Sequence, residues 1–133
     1  MSYTLLSVEQ VVMVHDHILG PNELQGTAGG KFLDGALARV ENRLSYGLID
    51  DIYALAAAYA AAVSQAHCYN DGNKWTAFQV MDLVLDLNGV QVAWDTEAVG
   101  DKIIELAQSR LEETAFADWL RQQADLGLKG REV

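Results

Sequence analysis

The chain has 133 residues, half of them hydrophobic, so it can form one core as a single domain over residues 1–133, and wholesale disorder is excluded. Nine Lys and Arg against nineteen Asp and Glu give a net charge of −10, which argues against direct nucleic-acid binding and against binding to an anionic membrane, because both need a basic surface. The single cysteine, Cys68, forms no internal disulfide, and neither a secretory signal nor a membrane-spanning stretch is visible, so we expect a cytoplasmic protein.

The spacing of apolar residues predicts an all-α bundle of about six helices. In chain order the helices are expected from Val8 to before Gly20, from Leu33 to Leu44, from Asp50 or Asp51 to about His67, from about Asn73 to Leu87, from Asp95 through an apolar set that ends at Leu111, and from about Glu113 to Leu126. The stretch from Ser7 to Gln10 is a capping box, and Asn88-Gly89 is a C-cap signal. Residues 90–92 alternate and predict a short extended piece.

Two segments of the N-terminal half stand out against this pattern. Residues 20–31 carry four glycines without periodicity, which indicates a flexible flap. The third helix is rich in alanine and lacks charge, so we expect it to be buried on nearly all sides.

In the fourth helix, Phe78, Met81, Val84 and Leu85 are expected in the core, with Asp82 and Asp86 facing water.

The decapeptide from His67 to Thr76 is polar although it joins two strongly apolar helices. It places an imidazole at a helix C-terminus, then a glycine-containing turn, then a helix N-terminus whose free amides attract anions. Lys74 lies in that first turn, where a cation is unfavourable unless an anion is bound. The Asp71 carboxylate suits Mg²⁺, and a histidine such as His67 can take a proton from a hydroxyl near neutral pH.

Each of these residues has a structural explanation when taken alone: a helix cap, a turn, a surface charge or a buried histidine. Their order and spacing favour a site for phosphoryl or nucleotidyl transfer. The decapeptide resembles the signature of the Fic/Doc family, His-x-[Phe/Tyr]-x-[Asp/Glu]-[Gly/Ala]-Asn-[Lys/Gly]-Arg-Thr. It is most similar to the Doc (death on curing) branch, because Lys74 follows Asn73. Residues 33–39, 42–47 and 87–90 resemble flanking regions of the family, so the likeness extends over residues 5–95.

The resemblance implies a Fic/Doc-like fold and a transferase that uses ATP and Mg²⁺. By position in the signature, His67 is the general base that activates a hydroxyl of a target protein, and Asp71 helps to hold Mg²⁺. The resemblance further implies that a nucleotide is bound by Asn70, Gly72, Asn73, Lys74 and Trp75. Doc-type members phosphorylate translation elongation factor Tu and are silenced by a cognate antitoxin, whereas Fic proteins transfer AMP. A Doc-like toxin kinase is therefore the first hypothesis, and a Fic-type AMP transferase is an alternative.

Trp75 departs from the signature, which has an arginine at this position. An indole with one N–H replaces a bidentate phosphate donor, and we expect it to face the phosphates. Three explanations stay open: a weakened or inactive enzyme, an engineered inactive form, or a cation relocated to Arg39 or Arg43. The second class of function is accordingly a binding module without catalysis, which would bind an antitoxin or a nucleotide.

Three further features carry weaker expectations. Ser109–Glu113 has the spacing of the inhibitory motif [Ser/Thr]-x-x-x-Glu-[Gly/Asn] found in some Fic proteins, but Thr114 follows, so regulation in trans is expected. His15-Asp16-His17 suits a shared metal ion poorly, because adjacent helical residues point about 100° apart. Three aromatic residues among apolar neighbours are expected in the core or at a partner surface: Trp94, Phe116 and Trp119.

Overall fold

The computed structural model describes residues 3–18, 31–65 and 73–131, with side chains described at 3–16, 33–65 and 74–125. That part of the chain contains six α-helices and no strand, which confirms the predicted all-α fold. The helices are α1 Val8–Ile18, α2 Lys31–Ser45, α3 Ile52–Gln65, α4 Asn73–Leu87, α5 Thr96–Ala107 and α6 Glu113–Arg131. The expected flap lies outside the described residues, apart from Lys31, which begins α2. None of the described helices combines the length and the apolar character that crossing a bilayer requires.

Helix α3 is the centre of the bundle. It packs against α2, α4, α5 and α6, and every residue from Leu55 to Ala61 is buried, as its uncharged sequence predicted. Alanine side chains let the neighbouring helices approach closely. The four apolar residues predicted for the inner face of α4 are buried as well. Asp86 is exposed, whereas Asp82 is half-buried because it accepts a hydrogen bond from Nε1 of Trp94 at 2.9 Å.

The helix ends follow the local signals in the sequence. The amide of Ser7 donates to Oε1 of Gln10 at 2.8 Å, and the amide of Gln10 donates to Oγ of Ser7 at 3.2 Å, so the capping box is confirmed. Asp51 caps α3, because its carboxylate accepts the amide of Ala54 at 2.8 Å. Gly89 adopts a φ of +85° just after α4, a conformation that side chains disfavour.

The connections in the C-terminal part differ from the prediction. Helix α5 ends at Ala107, so the expectation that it reaches Leu111 was wrong; Ser109 has a φ of +59° and interrupts the helix. Helix α6 continues to Arg131, beyond the expected end at Leu126. Residues 90–92 are not helical, and no β-ladder forms among the described residues.

Tyr59 fastens the N-terminal segment to α3. Its ring is fully buried, and burial raises the pKa of its phenol. The hydroxyl accepts the backbone amide of Leu6 at 3.1 Å and donates to the Leu6 carbonyl at 3.4 Å. One phenol thus satisfies both backbone groups of a buried residue that lies outside any helix.

We expect Tyr59→Phe to lower the free energy of unfolding by about 1–3 kcal/mol, because the Leu6 amide then stays buried without a partner. Urea unfolding followed by circular dichroism measures this loss. Tyr53→Phe is the control, since it removes a hydroxyl of the same helix for which the described residues provide no hydrogen bond. A loss below about 0.5 kcal/mol for Tyr59→Phe would contradict the role of the hydroxyl.

Arg121 joins α6 to the start of α3. Its Nε donates to Oδ2 of Asp51 at 2.7 Å and a terminal nitrogen donates to Oδ1 at 2.9 Å, while the other terminal nitrogen meets Asp118. The hydrogen bonds from Arg121 lower the pKa of the Asp51 carboxyl. Because the folded pKa lies below the unfolded one, the stabilisation is complete above the unfolded pKa and is lost as the pH falls through the folded pKa.

Asp51→Asn keeps a capping side chain but removes this charge. We expect it to lower the free energy of unfolding by less than about 1 kcal/mol at pH 7, because both partners are more than a third exposed and solvent screens the pair. The difference from the parent chain should shrink as the pH is lowered and the Asp51 carboxyl becomes protonated. Urea unfolding of both chains between pH 7 and pH 3 measures it. A difference that stays constant over this range would exclude the ion pair as its source.

Candidate functional site

The signature decapeptide connects α3 to α4. Helix α3 ends at Gln65 and α4 begins at Asn73, and the two helices pack against each other. The expected arrangement, a helix C-terminus followed by a helix N-terminus, is therefore present at the two ends of the segment. Four predicted site residues lie between these ends, outside the described residues: His67, Asn70, Asp71 and Gly72. The side chain of Asn73 also lies outside the described part, and the roles of all five stay predictions.

Lys74 and Trp75 occupy the first turn of α4 and contact α5. The ammonium of Lys74 lies over the ring of Trp75, 4.3 Å from its centroid. Both side chains approach the buried Gly100 of α5: a β-carbon placed there would be 3.8 Å from Cη2 of Trp75 and 4.0 Å from Nζ of Lys74. Phe78 meets the indole edge-on, with 6.5 Å between centroids. The indole, 41% exposed, thus rests between α4 and α5.

Thr76, the last residue of the signature, is fully buried in the same turn. Its Oγ1 has no hydrogen-bond partner within the described part of the chain. Leaving a hydroxyl buried without a partner is unfavourable by about 1–3 kcal/mol, and such groups are uncommon in folded proteins. The signature pattern assigns Thr76 no chemical role. Its burial depends on how α4 packs, which the signature alone does not indicate.

A groove of about 280 Å³ lies between α2, α3 and the start of α6. Alanines line much of it, and four polar side chains border it: Arg39, Arg43, Gln65 and Glu113. Among the described residues that line it, none comes from α4. Nε2 of Gln65 donates to the backbone carbonyl of Leu106 at 2.8 Å, which ties the last turn of α3 to α5.

The two arginines that were candidates for a relocated cation differ in their partners. Arg43 donates to both carboxylate oxygens of Glu113, at 3.1 Å and 2.5 Å, and these hydrogen bonds raise its pKa. Arg39 is exposed and has neither a hydrogen bond nor an ion pair within the described residues. Glu113, the glutamate of the incomplete inhibitory motif, therefore binds Arg43. Arg39 has no carboxylate partner among the described residues.

The weaker candidates lie partly within the described residues, and the side chain of His17 lies outside them. His15 is fully buried and its Nδ1 lies 3.3 Å from Oδ1 of Asp16, and no group of three potential metal ligands occurs among the described residues. The ring of Trp119 on α6 stacks on Trp94 and on Phe116, with centroid distances of 6.4 Å and 6.1 Å. Phe116 is buried, and both indoles pack against the core. These aromatic residues join α6 to the segment before α5, in agreement with the expected core position.

Comparison with known proteins shows which family and which relative the chain is similar to. The model of the Fic/DOC family matches residues 5–85, a range that contains α1 to α3, most of α4 and the whole signature. Protein kinase doc of Escherichia phage P1 is 31% identical over 118 residues, which cover 88% of this chain and 93% of that protein. The similarity therefore extends over the bundle as well as the signature.

Proposed function

The chain belongs to the Fic/DOC family, and on that premise we propose that it is a Doc-like toxin that transfers the terminal phosphate of ATP to a hydroxyl of a target protein. The observation that carries this proposal is the match to protein kinase doc over nearly the full length of both chains. Four signature residues to which the proposal assigns a role in the reaction accompany that match: His67, Asp71, Asn73 and Lys74.

His67 acts as the general base in this proposal. Its imidazole takes the proton of the target hydroxyl while the hydroxyl oxygen bonds to the terminal phosphorus. The bond from that phosphorus to the bridging oxygen breaks, and ADP leaves with the electron pair. The free amides at the start of α4 and the ammonium of Lys74 stabilise charge on the phosphate oxygens.

The donor set of the site fits Mg²⁺, since Asp71 offers a carboxylate of the kind this ion prefers and the triphosphate offers the remaining oxygens. Asp71 would hold the ion in this proposal. When bound, Mg²⁺ neutralises charge on the triphosphate.

The proposed target is a translation factor similar to elongation factor Tu, modified in the cytoplasm. We propose that a cognate antitoxin regulates the chain in trans, through an acidic or amphipathic segment that docks near the signature and residues 20–31. The incomplete inhibitory motif supports this, because its Glu113 is bound to Arg43 and Thr114 replaces the final residue of the motif. Copurification of a small partner from the native operon tests the antitoxin proposal.

Trp75 supports a second candidate function, a catalytically impaired module that still binds an antitoxin or a nucleotide. Loss of one transition-state contact of the arginine type lowers rates by about 100- to 1000-fold. AMP transfer of the Fic type is the third possibility, since it uses the same signature with the triphosphate placed differently.

Parallel incubations with α- and γ-labelled ATP, Mg²⁺ and elongation factor Tu distinguish these functions. Label transferred only from the γ-position supports the kinase, and label from the α-position shows AMP transfer. No transfer combined with measurable binding of Mg·ATP supports the binding module. His67→Ala is the control that identifies label transferred by a contaminating kinase.

A further inference from the structure

We infer that Trp75 is a positioning residue for Lys74: its indole holds the Lys74 ammonium at the first turn of α4, on the side of α5, where the charge meets an anion bound at that helix end. This inference rests on the proposed function, because the anion is the triphosphate of ATP. It assigns a role to the residue that departs from the family signature.

The contact geometry supports this role. The Lys74 ammonium is 4.3 Å from the ring centroid, well within the 6 Å or so over which a cation and an aromatic face attract each other. The ring is itself held, since Phe78 meets it edge-on and Gly100 presents only backbone to it. A fixed ring gives the flexible lysine side chain a defined resting position.

The electrostatics explain why an aromatic partner suits this lysine. The positive end of the α4 dipole repels an ammonium in the first turn, so Lys74 needs a favourable contact to stay there. Within the described residues Lys74 forms no ion pair with a carboxylate. A carboxylate would neutralise the ammonium, whereas an aromatic face orients it and leaves its charge available to phosphate oxygens.

The contact is observed directly by NMR of the chain after reductive ¹³C-methylation of its four lysines. The dimethyl signal of Lys74, assigned with Lys74→Arg, should be shifted upfield by the indole ring current. Trp75→Leu should remove that shift and leave the signal of Lys102, which lies 6.0 Å from the ring of Trp119, unchanged. A Lys74 signal at the position of a free lysine in the parent chain would overturn the inference.

The functional part is tested by a double-mutant cycle on the affinity for Mg·ATP, measured by calorimetry. Trp75→Leu should weaken binding about two- to fivefold, the usual strength of a cation–π contact, and Trp75→Phe should retain most of the affinity. In a Lys74→Met background, Trp75→Leu should have no further effect, because the indole acts through the ammonium. A merely structural role of the indole predicts the same loss in both backgrounds.

The outcomes separate the inference from the proposed function. Equal losses in the two backgrounds would overturn the inference and leave the proposed function intact. A parent chain that binds no Mg·ATP would overturn the proposed function, and this inference with it. Urea unfolding of all variants verifies that they are folded at the temperature of the titration.

Discussion

His67→Ala should abolish phosphotransfer, with a loss of at least about 100-fold, because removal of a general base lowers rates by about 100- to 10,000-fold. The binding of Mg·ATP should persist, since in the proposed mechanism the imidazole acts on the target hydroxyl and other groups hold the phosphates. The free energy of unfolding should change by less than about 0.5 kcal/mol if His67 serves the reaction and not the core. Single-turnover transfer of the γ-label and urea unfolding measure the two quantities.

His17→Ala is the matched control, because it removes a histidine that lies outside the signature. It should leave transfer unchanged. If His67→Ala instead lowered the free energy of unfolding by several kcal/mol together with the activity, a buried structural histidine would explain both losses.

Trp75→Arg should raise the affinity for Mg·ATP about ten- to 100-fold, since a guanidinium supplies two charge-assisted hydrogen bonds to phosphate oxygens, each stronger than a neutral one. The lost contact between the indole and Lys74 is worth less than this gain. Transfer should rise more than affinity if the guanidinium contacts the phosphate chiefly in the transition state. Calorimetry and the labelled-ATP assay on both chains give the comparison.

A relocated cation predicts a different result for the same variant. Trp75→Arg would then be neutral or harmful, and removal of the relocated arginine would abolish transfer. The structure favours Arg39 over Arg43 for that role, because Glu113 already binds Arg43. Arg39→Ala is therefore the variant to compare, with Arg110→Ala as a control for the change in net charge. Equal affinity and equal transfer in the parent chain and Trp75→Arg would show that residue 75 makes no phosphate contact.

Most of the fold could be predicted from the sequence, because the determinants of these helices are local. A capping box acts within one turn, as Ser7 and Gln10 show, and the glycine after α4 provides its stop signal on its own. The uncharged sequence of α3 likewise predicts its central position. The early end of α5 was missed, because the apolar residue at 111 continues the spacing although the backbone turns at Ser109.

The candidate site could be predicted as a set of residues but not as an arrangement. Its identification depends on the order of side chains within ten residues, which the sequence displays directly. The pairing of Arg43 with Glu113 joins positions 70 residues apart and depends on α2 and α6 both packing against α3. The contact of Trp75 with α5 was also beyond the sequence, since it depends on a glycine in that helix that offers space to the indole. The expectation that the indole faces the phosphates stays a prediction.

That glycine makes positions 75 and 100 an interdependent pair. A methyl group at Gly100 would meet the indole and the ammonium at ordinary van der Waals distances, but a branched or longer side chain would occupy the volume that the indole now fills. An arginine at position 75 that reached toward phosphate would vacate this volume and leave a cleft beside α5. Any redesign of the signature at residue 75 therefore has to include α5. The size of the side chain at position 100 must be chosen together with the chemistry of the side chain at position 75.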